Sequence, residues 1–385
     1  MRDSSIKIRK RKRIFLSILV IAVMAIIILI WPLEKRVVSV SNGGGHIMAI
    51  TSDGTLWSWG DNVAGERMDR ESGKRDLPQK VMDDIITVST GRSHTVLIDK
   101  NKELWGAGIG IQGQLGTVEY STYTPIKMMN QVAAVSAGDS HTVAVTLEGD
   151  LYFFGLPWET NGYYYDPTGP SPRPLWTGMA VKMMEDVASV SAGNDYVMAV
   201  KKNGELWGWG NNKFGQLGDG TTEDRFKPVK IMDHVSSVSA GDTHTVAIKT
   251  NGELWGWGNN EFGQLGNGTT ESQLAPIKIL NGVKSVSAGE DYTAAIMDDN
   301  ELWSWGNNEN GKLGDGTTEN RLTPVKIMDE VVTVSAGYCD TMAIDKNGLL
   351  WGWGYQVGDG TDKTRYSPVR VKLRYNLFGI MLDWI

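Results

Sequence analysis

An all-β fold, a seven-bladed β-propeller of four-stranded blades behind one N-terminal transmembrane helix, is what three observations in this 385-residue sequence predict. One stretch, Val235 to Gly282, returns with small changes along nearly the whole chain, which marks a repeat protein. Its anchor leucine recurs as Leu56, Leu104, Leu151, Leu206, Leu254, Leu302 and Leu350, at steps of 48, 47, 55, 48, 48 and 48 residues. Ser-Ala-Gly or a close variant starts in the same phase at Ser41, Ser89, Ser136, Ser191, Ser239, Ser287 and Ser335. Two markers in one phase define seven units. The third observation is a basic N-terminus that leads directly into a run without charge.

The unit reads as four short strands, Val235 to Ser239, Thr245 to Lys249, Glu253 to Trp257 and Pro276 to Ile279, each rich in β-branched or aromatic residues and bounded by turn residues. Asn251-Gly252 joins the second and third as an expected two-residue type I′ hairpin, echoed by Asp53-Gly54, Asn203-Gly204 and Asn347-Gly348. A sheet this apolar needs a neighbour on both faces, in an open stack or around a ring. The first unit starts at Val37 with no Pro-Val-Lys-Ile strand before it, while Pro368-Val369-Arg370-Val371 follows the last Trp strand. The expectation is a ring over residues 37–375 that closes by pairing this C-terminal strand with the N-terminal blade, with no polar cap of the kind an open solenoid needs. An apolar tail, residues 376–385, follows.

The N-terminus carries Arg2, Lys7, Arg9, Lys10, Arg11, Lys12 and Arg13 against one acid, Asp3, within residues 1–13. Residues 14–31, Ile14 to Trp31, contain no charged residue, and at about 1.5 Å per residue such a helix just crosses a hydrocarbon core. The basic flank stays cytoplasmic, so the propeller is expected outside a cell membrane as the extracellular part of a single-pass signal-anchor protein. A cleaved signal peptide is the alternative, although no small-residue cleavage site follows the run. Cys339 is the single cysteine, which excludes an intrachain disulfide and a Cys-based zinc site. Of the 38 basic and 45 acidic residues, nine and two fall in residues 1–36; the remainder, 29 basic and 43 acidic, has a net charge of −14. A domain that acidic repels nucleic acid.

Ser-Ala-Gly-x-x-His-Thr at 239–245, Leu-Trp-Gly-Trp-Gly at 254–258 and Gly-Gln-Leu-Gly at 263–266 recur in order, and with them residues 37 to about 375 resemble the regulator of chromosome condensation repeat. The resemblance implies a seven-bladed propeller with offset closure. The eukaryotic founder of the family is a nucleotide exchange factor that docks a small GTPase and chromatin, and none of its functional residues carries over. The setting is similar to that of a secreted bacterial propeller of this repeat type that inhibits β-lactamases, in which the ring serves as a protein-binding surface.

Within the units, His46, His94, His141 and His244 occupy one repeat position, filled elsewhere by Tyr196, Tyr292 and Asp340. A residue there is expected to hydrogen-bond a neighbouring loop rather than to act as a base or metal ligand. Asp-Gly-Thr-Thr at Asp219 and Asp315, with Asn267 in the third copy, lacks the alternating oxygen ligands of a calcium loop. Gly-Gln-Leu-Gly at Gly113, Gly215 and Gly263 lacks the Lys and the helix of a phosphate loop. These read as turn devices, so no catalytic residue, cofactor or metal is assigned, and chemistry is not expected.

Recognition belongs where the repeat breaks, because loops on a rigid ring carry function. Unit three loses Gly-Gln-Leu-Gly and gains Trp158, Tyr163, Tyr164, Tyr165 and Trp176 among prolines, a composition suited to a partner-binding loop or to a satellite cluster on its own blade. Unit one carries Glu66, Arg67, Asp69, Arg70, Glu71, Lys74, Arg75 and Asp76, read as a solvated charge run. In the Trp strand, two units break the Trp-Gly pattern, with Ala107 for the second Trp and Phe153 for the first Gly; the expectation is that Phe153 fills the space above Ala107. The functional expectation is a membrane-anchored protein-protein interaction module binding an unidentified protein through blades one to three, with a cell-wall or glycan binder, or an inhibitor of a secreted enzyme, as alternatives.

Overall fold

In the computed structural model, residues 35–117, 120–155 and 180–373 are described, together with the short strands Tyr163–Tyr164 and Arg173–Pro174. The expected span at 14–31 and the tail at 376–385 lie outside them; among the described residues no helix is long and apolar enough to cross a membrane. Residues Arg36–Lys372 form one compact unit. It consists of seven four-stranded antiparallel sheets, each taken from one repeat in chain order. Blade five, for example, runs Val235–Ala240, His244–Lys249, Leu254–Gly258 and Gln273–Leu280.

The first strand of every blade touches that of the next, and the first strand of blade seven touches that of blade one, so the sheets close a ring around an axis lined by first strands. Two sets of hydrogen bonds explain the repeated markers. Each Ser-Ala-Gly serine accepts the backbone N–H of the equivalent turn one blade on: Ala240 donates to Ser191 Oγ at 2.9 Å, Ala288 to Ser239 Oγ at 2.9 Å, and, across the closure, Asn42 to Ser335 Oγ at 3.1 Å. At the opposite end the hairpin carbonyl accepts from the next blade's first strand, as in Val235 to Gly204 and Val37 to Gly348, both 2.9 Å. Each bond satisfies a backbone group at a blade edge that would otherwise be buried without a partner.

The closure differs from the expectation. The C-terminal strand Arg365–Val371 pairs with Leu350–Gly354 of its own blade, in the register Leu350↔Val371 and Gly354↔Arg365. Blade one has its own outer strand, Arg75–Met82, paired through Leu56↔Met82 and Gly60↔Arg75. The repeat begins and ends at blade borders, so no blade is left lacking a strand to borrow. That outer strand escaped notice because it reads Pro78-Gln79-Lys80, with Gln79 where other units have Val or Ile. The hairpins differ too: Gly252 has φ +79° while Asn251 has no positive φ, and Gly252 N–H bonds Lys249 C=O at 2.9 Å. This is a type I turn closed by a left-handed glycine, not a type I′ turn.

The core lies between blades. Trp257 is fully buried among Met198, Leu206 and Leu217 of blade four, the preceding blade, and Trp353 packs likewise on Leu302 and Leu313 of blade six. The bulky face of the Trp strand therefore meets the blade before it, not the one after. Ala107 faces blade one, in a cluster with Met48, Ile50 and Met68, whereas Phe153 faces Trp209 of blade four. The expected contact of Ala107 with Phe153 is thus replaced by two separate compensations. Phe153 fills the hollow that Leu265 occupies in blade five, where a Cβ added at Gly256 would lie 3.4 Å from Leu265 Cδ2. Met68 takes the place of Gly218, whose added Cβ would come within 2.6 Å of Trp257 Nε1, and so fills the volume that an indole at position 107 would need.

The indole N–H groups of Trp257, Trp305 and Trp353 donate to the preceding loop's carbonyl, at Gln216, Gln264 and Lys312, over 2.9, 2.9 and 3.0 Å. Trp209 Nε1 is buried without a partner among the described residues. Removing the indole nitrogen should therefore cost more in blade five than in blade four: Trp257→Phe is expected to destabilise by about 1 kcal/mol more than Trp209→Phe, the net worth of one buried hydrogen bond. Urea unfolding of the two variants checks this, and equal losses would contradict it.

Candidate binding face

One end of the ring carries two kinds of loop, the turns between first and second strands and the longer loops between third and fourth strands. The two are tied in every blade but the third, whose donor position lies outside the described residues, as by Asn259 N–H to Thr243 C=O at 2.9 Å. Just behind the turns lies the repeat position of the histidines. His46, His94 and His244 are buried and place Nε2 at 2.7, 2.9 and 3.0 Å from Oγ1 of Thr95, Thr142 and Thr293, each on the next blade. Tyr196 and Tyr292 reach the same threonine, Thr245 and Thr341, at 2.9 and 2.7 Å. Blade four has Val197 in place of that threonine, and His141 instead stacks on Phe153 with ring centroids 5.4 Å apart. At the closure Asn42 Nδ2 donates to Asp340 Oδ1 at 2.7 Å. Apart from His141, the position ties each blade to the next, through a strand residue rather than through the neighbouring loop that was expected. Burial pushes His46, His94, His141 and His244 down to about 3 and the Asp340 carboxyl up to about 7.

The turn residue that follows each Ser-Ala-Gly glycine varies from blade to blade: Gly44, Arg92, Asp139, Asn194, Asp242, Glu290 and Tyr338. Of these, Arg92, Asp139, Asp242, Glu290 and Tyr338 line the mouth of the axial channel, a cavity of about 200 Å³. Tyr338 of blade seven reaches across the axis and donates its hydroxyl to the Asp139 carboxylate of blade three, 2.9 Å from both oxygens. Arg92 Nη1 donates to Asp139 Oδ2 at 3.3 Å, and its guanidinium lies 5.5 Å over the Tyr338 ring. Burial, together with the carboxylates of Asp139, Glu290 and Asp291, pushes Asp242 up to about 8, and burial raises Asp139 despite its Tyr338 and Arg92 partners. Tyr338 is raised by burial and by the carboxylates of Asp242 and Asp139. These residues were missed at the level of sequence, where the signal was a variable position inside an otherwise repeated block.

Beside the mouth, a groove of about 370 Å³ runs between blades two, three and four, with Ile109 and Ile111 on one side and Asp139, Ser140, Asn194 and Asp195 on the other. Gly113 lies against Gly155, the last described residue before the unit-three insertion. Of the residues expected to bind a partner, Tyr163 and Tyr164 lie on a strand whose backbone pairs with Arg173–Pro174 (Tyr163↔Pro174, Tyr164↔Arg173); Trp158, Tyr165 and Trp176 fall outside the described residues.

The long loops differ around the face. Val63 of blade one is 81% exposed and Ile111 of blade two 52%, at the repeat position that holds Lys213, Glu261 and Glu309 in blades four to six. Tyr120, also exposed, accepts Gly110 N–H at its carbonyl, and Tyr123 donates its hydroxyl to Val63 C=O at 2.8 Å, which gathers these apolar groups on one sector.

The unit-one charge run is solvated in part: Arg70, Glu71, Lys74 and Asp76 are exposed as expected, whereas Glu66 and Arg67 are buried. Arg67 is fully buried in the place of the repeat leucine and donates to the carbonyls of Gly60 at 2.7 Å, Gly73 at 2.8 Å and Glu71 at 3.1 Å, with Asp69 at 3.0 Å on Nε. Glu66, at the repeat glutamine, accepts Val63 and Ala64 N–H at 2.9 and 2.7 Å. The run follows the same turn as the other blades, and the buried charge is accommodated because every donor meets an acceptor. In those blades the Asp-Gly-Thr carboxylate is likewise consumed by protein donors, Asp219 accepting from Asn212, Thr221 and Arg225.

A family model for the RCC1-like domain matches residues 122–382, and one for the regulator of chromosome condensation (RCC1) repeat matches residues 37–66. The chain belongs to the RCC1-like domain family. Among solved structures it is similar to human WBSCR16, at 21% identity and TM-score 0.73, over 83% of this chain and 94% of that one. Prp20p from Saccharomyces cerevisiae, a protein with binding properties to Gsp1p and histones, is similar at 21% identity and TM-score 0.74, over 85% and 88%. The CRINKLY WD40 ectodomain of the Arabidopsis thaliana receptor kinase ACR4 follows at 13% and 0.51, over 86% and 98%. At these identities the likeness is one of fold. No curated protein matches the sequence. RCC1-like propellers form a family of protein-interaction modules.

Proposed function

We propose that this RCC1-like protein is a membrane-anchored, extracytoplasmic interaction module that binds a partner protein through the blade one to three sector of its loop-bearing face. One observation carries the reading: Val63 and Ile111 expose apolar side chains at the position where blades four to six carry charge. Solvent-exposed aliphatic groups at a site the same fold can fill with Lys or Glu mark a surface meant to be covered. The membrane address is supported by the basic residues Arg9 to Arg13 ahead of the uncharged residues 14–31. The net charge of −14 beyond residue 36 favours a protein partner over nucleic acid.

The test is site-specific photocrosslinking on intact cells, with p-benzoylphenylalanine placed in the full chain at position 63, 111, 261 or 309. A discrete protein adduct is expected from 63 and 111, absent from 261 and 309, and lost from 63 when Ile111→Lys is added. Adducts that are equal at all four positions, or absent from all, would overturn the proposal.

A further inference from the structure

We infer that the partner segment seated on this face is an extended polypeptide stretch in which apolar side chains alternate or nearly alternate with Lys or Arg. The inference rests on the reading of the ring as a protein-binding module and adds the chemistry of what it binds.

Charge complementarity is the first argument. The variable turn residues and their successors contribute five acids, Asp139, Asp195, Asp242, Glu290 and Asp291, and one base, Arg92. Arg92 is already committed to Asp139 and to the Tyr338 ring. Lys312, from the adjoining long loop, is buried, donates to Tyr338 C=O at 3.3 Å and lies 3.6 Å from Glu290. The described turns thus offer carboxylates in excess of the cations facing them. Burial first, and then the neighbouring carboxylates of Asp139, Glu290 and Asp291, push the Asp242 carboxyl up to about 8. A cation delivered to this mouth gains attraction from several carboxylates at once, in a concave site where the field is focused.

Shape and apolar surface supply the second argument and distinguish a peptide from a simple cation. The groove, about 370 Å³, opens beside the mouth and is lined by Ile109 and Ile111 of blade two and by Asp139, Ser140, Asn194 and Asp195 of blades three and four, with Arg92, already paired to Asp139, also in its lining. That volume is at the lower end of ligand-sized clefts and accommodates one or two large side chains. The exposed Ile111, Val63 and Tyr120 continue its apolar wall outward over blades one and two. A ligand that uses both walls must carry an aliphatic group and a positive group a few ångströms apart, a spacing that neighbouring residues of an extended chain provide.

The experiment uses the full chain in detergent and measures fluorescence anisotropy with the labelled peptide Gly-Leu-Lys-Leu-Arg-Gly. Two controls replace its leucines by Ser or its Lys and Arg by Glu. The parent peptide is expected to bind, and each control to bind at least about tenfold more weakly, a difference near 1.4 kcal/mol. Ile111→Lys, which installs blade four's own residue, and Asp195→Asn, which keeps the bond from Ser140 Oγ, should each weaken binding about tenfold. Glu309→Gln should leave it unchanged. Equal binding of the parent and Ser peptides, or indifference to Ile111→Lys and Asp195→Asn, overturns the inference. Should position 63 still yield its crosslinked protein on cells while the parent peptide neither binds nor competes, the inference falls and the interaction-module reading stands. Failure of both assays removes both.

Discussion

Replacing His244 by Tyr is expected to leave stability near pH 7 almost unchanged and to reduce the loss of stability on acidification by about 1.4 kcal/mol per pH unit. His244 is fully buried, and burial holds its imidazole down to about 3. In the unfolded chain it takes up a proton below about 6.5, whereas the folded protein takes none until about 3. The unfolded state therefore binds more protons across that window, and stability present above pH 6.5 is lost as the pH falls towards 3. Tyr196 and Tyr292 show that a phenol fits the same cradle and reaches the same threonine, so the substitution keeps the tie and removes the titration. Asp242 and Asp340 work in the opposite sense: raised to about 8 and 7, they bind protons in the folded state, and their contribution is lost as the pH rises through those values. The comparison must accordingly be wild type against variant, by urea midpoints at pH 7 and pH 5. An unchanged difference between the two pH values would mean that the buried imidazole is not the group responsible.

The second large effect is a coupling between positions 68 and 107. Where the ring keeps its pattern, a glycine faces an indole: the Cβ site at Gly218, Gly266 and Gly314 lies 2.6 Å from the indole nitrogen of Trp257, Trp305 and Trp353. Between blades one and two both partners are changed, to a buried Met68 held at φ +63° and a buried Ala107. Ala107→Trp alone drives an indole into the methionine and is expected to cost about 1 to 3 kcal/mol through overpacking. Met68→Gly alone leaves a cavity worth about 2 to 5 kcal/mol, reduced by relief of the left-handed backbone. The double variant restores the pattern of the other blades and should return to within about 1 kcal/mol of wild type, so the cycle carries a coupling of several kcal/mol. Additive losses in a four-protein denaturation series would refute the assignment of Met68 as the compensating residue.

The repeat was legible because Ser41 and its six equivalents answer a requirement that recurs at every blade border, and a recurring requirement leaves a recurring letter. Alternation in Leu254-Trp255-Gly256-Trp257 correctly puts both tryptophans on one face, but period two says nothing about which neighbour that face meets. Alternation alone therefore does not tell that Ala107 meets blade one rather than blade three. Arg67 illustrates a different blindness. Composition marks it as solvated, while its burial depends on three carbonyls and Asp69 converging on one guanidinium, a fact of geometry alone. The axial mouth was hidden for a similar reason, since Arg92, Asp139 and Tyr338 lie far apart in the chain and only ring closure brings them together.

The absence of a strand shared between blades one and seven bears on how the chain comes to be folded during its synthesis. Each blade is complete once its own outer strand has been made, and it can dock on the blade already present, whose serine and hairpin carbonyl accept its backbone N–H groups and whose hollow face receives its Trp strand. Translation and docking thus run in the same direction, with contacts mostly local to one repeat step, the regime in which folding can keep pace with the ribosome. The exception is the final joint, where Asn42 waits through nearly three hundred intervening residues for Ser335 and Asp340 to arrive.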